Sequence, residues 1–152
     1  MLKKIMLYAF LVLCYSASAQ NPEDVTGVWL NQSGEGKIKV FKVNDLLFGN
    51  LVWLKNPNQD NGKPKLDSKN PDVSKTNRKL QGLLILTGFH WDAAHRHWND
   101  GEIYDPKSGK TYKCSLSLKN KDELHIRGYI GISIIGRTET WKRVKEVESD
   151  SH

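Results

Sequence analysis

Short apolar or alternating runs recur along the chain between turn signals, and no stretch sustains the period of an amphipathic helix. The pattern predicts strands over 27–30, 37–43, 46–54, 82–89, 98–104, 111–118, 123–129 and 137–144. In the second, Ile38 and Val40 mark one face and Phe41 and Val43 the other, which reads as a bulge near Phe41. Asn44-Asp45 turns into a third strand that is apolar on both sides, Leu47, Leu51 and Trp53 against Leu46, Phe48, Val52 and Leu54. Burial on two sides requires something to cover the outer face. Tyr112, Cys114, Leu116 and Leu118 alternate with polar neighbours, as do Leu124, Ile126 and Gly128. Eight strands are the number that closes a small antiparallel up-and-down barrel, an all-β fold whose interior holds side chains or one small ligand.

Two segments fall outside this pattern. Residues 55–79 carry Pro57, Pro64 and Pro71 among many Asn, Asp and Lys residues, and read either as a lid or binding loop or as a floppy connection. Residues 146–152 read as a disordered tail. With no internal repeat or linker, 20–152 is expected to be one domain.

The first 19 residues change the picture. Lys3-Lys4, an uncharged apolar run to Tyr15 and Ala17-Ser18-Ala19 make a signal peptide cleaved before Gln20, so the mature protein is expected in the periplasm or secreted. The apolar run is too short to span a membrane. Acylation of Cys14 is the weaker reading, because Leu13 stands where a small residue is wanted. Cleavage leaves Cys114 as the single cysteine, with no intramolecular disulfide and the alternation of a buried, inert thiol. It also leaves 21 basic against 17 acidic residues, a net +4, spread without a basic block. Nucleic-acid binding is not expected from such a distribution.

Candidate chemistry is sparse. Trp53, Trp91 and Trp98, with Ile130, Ile132 and Ile134 from the Gly-punctuated run 128–136, are candidate walls for a small apolar ligand; all six could equally be core. His95 and His97 can share a strand face, a weak metal candidate without a third ligand at matching spacing, so no metal and no cofactor are assigned. Asp100, Glu102 and Asp105 cluster beside Tyr104 without a nucleophile–base pair, and Ser133 lacks a nucleophile elbow. An enzyme is not expected.

Three resemblances sharpen these expectations. Gly27-Val28-Trp29 opening the first strand, with Arg137 and Arg143 in the last, resembles the calycin group, which includes the lipocalins and avidins. That likeness implies a barrel end closed by Trp29 with a late arginine packed over its ring, and makes Gly27, Trp29, Arg137 and Trp141 structural. The run Thr26-Gly27-Val28-Trp29-Leu30-Asn31-Gln32 is also similar to the opening of streptavidin; it would carry over Asn31 alone, and the aromatic box has no match.

The third resemblance spans nearly the whole mature chain. It rests on Asp67, Asn70-Pro71, Arg78, Gly82-Leu83, Asp105-Pro106-x-x-Gly109-Lys110-x-Tyr112, Arg127-Gly128-Tyr129-Ile130-Gly131-Ile132-Ser133 and Gly136-Arg137-Thr138-x-Thr140-Trp141. These resemble a family of small exported bacterial proteins, domain of unknown function 2147, with a calycin-like barrel and no established activity. Lys79-Leu80 departs from the family, which usually has proline ahead of Gly82. The expectation is a non-enzymatic binder of a small apolar or amphipathic ligand, with an envelope protein–protein interaction module of filled barrel as the alternative.

Overall fold

A computed structural model describes residues 21–129 and 138–145, together with the backbone but not the side chain of Tyr129. Eight strands form a closed antiparallel barrel in chain order: β1 (Gly27–Leu30), β2 (Gly36–Val43), β3 (Leu46–Leu54), β4 (Leu84–Asp92), β5 (His97–Asp105), β6 (Lys110–Asn120), β7 (Glu123–Tyr129) and β8 (Thr138–Val144). β8 returns to pair with β1, so no edge is left to template aggregation. Every expected strand is present. β4 starts two residues later than the pattern suggests and runs three residues further, to Asp92.

Alternation puts Trp29, Ile38, Val40, Leu47, Leu86, Phe89, Trp98, Cys114, Leu116, Leu124, Ile126 and Trp141 into one buried core. Glycines make room for the largest of these. A Cβ on Gly101 would lie 2.3 Å from the Phe89 ring, and one on Gly49 would lie 2.8 Å from Leu86. These close approaches leave the middle of the barrel packed with side chains.

The second strand corrects one expectation. Phe41 pairs in register with Phe48 and stacks on it, with ring centroids 6.1 Å apart, so no bulge lies there. Ile38 and Val40 face in while Phe41 and Val43 face out by simple alternation. The register shift falls instead between Lys37 and Ile38. It turns Trp53 away from the face of Leu47 and Leu51 and leaves it 36% exposed, with the Lys37 ammonium 4.7 Å from the ring centroid.

One end of the barrel is plugged. A short 3₁₀ turn, Pro22–Val25, is capped by Asn21, whose side chain accepts from the Glu23 amide while its own amide donates to Asp24. Val25 is buried beneath the barrel and its carbonyl accepts the Trp29 indole N–H at 2.9 Å. Cross-strand pairing sets Trp29 opposite Arg143, whose guanidinium carbon sits 4.2 Å from the ring centroid. That guanidinium donates to the carbonyls of Lys121 at 2.5 Å, of Thr26 at 2.8 Å, and of Asp24. Gly27 makes this possible. Its φ of +129° and missing side chain leave the space that Arg143 Nη1 fills, 2.6 Å from where a Cβ would stand. The late arginine of the calycin pattern is therefore Arg143, because the β1–β8 register delivers it to Trp29; Arg137 lies outside the described residues.

The long connection between β3 and β4 is folded down. Asp67 accepts the Tyr104 hydroxyl at 2.5 Å, the Asn70 amide at 2.7 Å and the Arg78 guanidinium at 2.9 Å, and its side chain is wholly buried. Its backbone N–H also donates to the Arg78 carbonyl. Lys69 presses its carbonyl against the β5–β6 turn, where a Cβ on Gly109 would clash at 1.9 Å. Asp67, Asn70, Arg78 and Gly109, scattered in the sequence, thus form one latch.

Two measurements test these contacts. Arg143→Met removes three charge-assisted hydrogen bonds and a cation–π contact, and should lower the urea unfolding free energy by about 2–4 kcal/mol. Gly27→Ala, which displaces the same guanidinium, should destabilise in the same direction. At Asp67, burial pushes the carboxyl up, but the Tyr104, Asn70 and Arg78 hydrogen bonds outweigh it and hold the group below its ordinary value. A depressed carboxylate stabilises the fold above the ordinary Asp value of about 3.9 and loses that contribution as pH falls through the lower folded value. Limited pepsin digestion should therefore leave residues 55–79 intact near pH 4 and cut them increasingly below it, whereas Asp67→Asn should be cut already at pH 4.

Candidate functional site

At the end opposite the Trp29 plug, the inward faces change character. Ile103 pairs with Tyr112, Cys114 with Gly128, and Ile126 with Glu139. By period-two alternation Tyr112 shares a face with buried Cys114, Gly128 with buried Ile126, and Glu139 with buried Trp141. Large apolar side chains therefore give way here to a glycine, a phenol, a thiol and a carboxylate. Among the described residues, only the Lys113 carbonyl, at 4.0 Å, approaches the point where a Gly128 Cβ would stand. Among the described residues, no side chain fills the wall at that position.

Polar groups in this mouth are held from within. Trp141 donates its indole N–H to Glu139 Oε2 at 3.1 Å. Burial pushes the Cys114 thiol up to about 12, with the Glu139 charge adding to the effect. Cys114 is thus buried, as its alternation predicts, with its thiolate form disfavoured. Tyr104, although near the rim, is turned to Asp67; burial and that carboxylate push its hydroxyl up to about 12.

The sequence candidates are dispersed by the fold. Trp53 stands at the surface, as described above. Trp91 and Trp98 face one another across β4 and β5, with ring centroids 5.4 Å apart, at the plugged end. There they border a cleft with Val25, His97, Arg96 and Leu116 whose cavity volume is about 10 Å3. That is room for a single water. Trp98 is itself buried, and its indole nitrogen has no acceptor among the described residues. Ile130, Ile132 and Ile134 lie outside the described residues.

His95 and His97 approach to 5.7 Å between ring centroids, and His95 Nδ1 lies 2.8 Å from Asp92. Among the described residues no three His, Cys, Asp or Glu side chains gather as a metal site. Asn31 spends its carboxamide oxygen on its own loop, accepting from the amides of Glu35 and Gly36 at 3.0 and 3.1 Å. Glu102 pairs with Lys113, while Asp105 caps the following turn at Lys107 and Ser108. Among the described residues, no helix is long and apolar enough to cross a membrane.

Glu139 is the mouth residue that composition and motif spacing passed over. It occupies the unassigned position of Thr138-x-Thr140-Trp141, and its signal was available: a residue two before a buried tryptophan on a strand shares that tryptophan's face.

Comparison with known proteins now fits the geometry. A bacterial family model described as "Uncharacterized protein conserved in bacteria (DUF2147)" matches residues 27–143. No curated protein matches the chain. Among solved structures the chain is similar to protein HP1028 from the human pathogen Helicobacter pylori, described as belonging to the lipocalin family. The TM-score is 0.67 and the identity 23%, over 80% of this chain and 83% of that one. At that identity the likeness establishes the fold. The matched span runs from Gly27, which seats the arginine of the plug, to Arg143 itself, and the chain belongs to the bacterial DUF2147 family, built on an eight-stranded lipocalin-like barrel.

Proposed function

We propose that the mature protein is an exported, non-enzymatic barrel that holds one small apolar or amphipathic molecule in the mouth opposite the Trp29 plug. The observation that carries this reading is the asymmetry of the interior. Bulky side chains fill the middle and the plugged end, whereas the wall at Gly128 is bare among the described residues. A pocket with mostly apolar walls and a few placed polar groups is what small ligands use. Export is supported by the leader pattern and by a lone cysteine shut away from oxidants.

A second reading, an envelope protein–protein interaction module, draws on the outer surface. Trp53 and Leu84 are 36% and 43% exposed near the ends of β3 and β4, and Val73 on the latched loop is 80% exposed.

Native mass spectrometry of protein taken from the periplasm or medium of its host separates the two. The binder reading expects a mature chain beginning at Gln20 with a non-covalent small molecule attached, and a thermal shift with members of a panel of fatty acids, haem, sterols and quinones. Gly128→Leu fills the bare wall and should weaken that binding at least tenfold with little loss of stability. A ligand-free chain that shifts with no member of the panel overturns the binder and leaves the interaction module.

A further inference from the structure

We propose that Glu139 is the headgroup-selecting residue of the mouth, so that the barrel prefers amphipathic molecules ending in an amine or another N–H donor over those ending in a carboxylate. This rests on the reading of the barrel as a small-ligand binder and names the class of ligand that the same site would take.

Glu139 is a carboxylate on the inward face of β8, directly across from buried Ile126 and diagonal to Gly128 on β7. An ionised carboxylate offers about four acceptor positions. One is met by the Trp141 indole N–H at 3.1 Å. Among the described residues no Lys, Arg or His nitrogen lies within ion-pair distance of it. The bond from the indole of buried Trp141 turns the carboxylate toward the barrel interior. A half-buried anion whose remaining acceptor positions no described residue meets, beside a wall bare among the described residues, is matched by a ligand that brings donors to it. It repels a second anion, and does so more strongly in a low-dielectric mouth than in water. The Trp141 bond matters as much as the charge, because it holds the carboxylate in place before a ligand arrives.

The test uses three probes with the same ten-carbon tail: decylamine, decanol and decanoate. Each is titrated below its aggregation limit into the wild-type mature protein and Glu139→Gln, by calorimetry and tryptophan fluorescence. In the wild type decylamine should bind roughly tenfold to a hundredfold more tightly than decanol, and decanoate more weakly than decanol, as expected for hydrogen bonds to a charged group. Glu139→Gln keeps an oxygen for Trp141, and should bring all three to the affinity of decanol. Decanol binding with equal affinities for the amine and the acid overturns the inference and leaves the small-ligand reading standing. So does an order that persists in Glu139→Gln. Absence of binding by all three overturns the small-ligand reading and this inference together. The wild-type ranking decides the matter on its own if the variant fails to fold.

Discussion

A guanidinium on an indole face governs this barrel. Arg143 covers Trp29 and ties two backbone carbonyls ahead of β1, of Asp24 and Thr26, to that of Lys121 in the distant β6–β7 turn. A closed barrel of this size must end somewhere, and a bare end would expose core and unpaired carbonyls alike. Each carbonyl bound by the arginine is an acceptor that needs no water, and the aliphatic stem and ring shut out solvent. Gly27 belongs to the same device, since only a residue without a side chain leaves the cation its place. The arginine, the ring and Val25 together seal this end of the barrel.

That division of labour runs through the strands. Trp29, Trp98 and Trp141 are each buried to 3% exposure or less, and Phe89 fills the space left by Gly101. Higher in the barrel the same strands present Ile103, Tyr112, Cys114, Gly128 and Glu139. One end invests in packing and the other in polarity. The latch around Asp67 fixes the β3–β4 connection against β5, which gives the barrel a shaped rim in place of a loose flap.

Much of this could be read from the chain because alternation is a local signal. Cys114, Leu116, Leu124 and Ile126 announce their faces by their neighbours, and the eight strands follow from counting such runs. Trp53 could not be placed in this way. A one-residue shift between Lys37 and Ile38 reverses its face, and such a shift arises from pairing with a strand elsewhere in the sequence. Likewise the motif pointed to Arg137, whereas it is the β1–β8 register that sets Arg143 opposite Trp29; Arg137 lies outside the described residues. The latch was visible only as scattered family positions, since Asp67 and Tyr104 are 37 residues apart and meet through the closure of the sheet. Glu139 was legible in principle, two residues before a tryptophan on one strand, but a lone glutamate between two threonines carries no motif of its own until the burial of Trp141 fixes the face.

Cys114 gives the molecule an internal clock. Its sulfur sits in the barrel wall between the packed half and the mouth, buried, with its thiolate suppressed to about 12. A thiol reagent in solution can reach it only when neighbouring strands part or the interior opens. The rate at which this one atom is modified therefore times the breathing of the barrel, and anything seated against that wall would slow it. Cys114 is thus a reporter at the boundary between the packed half of the barrel and its mouth.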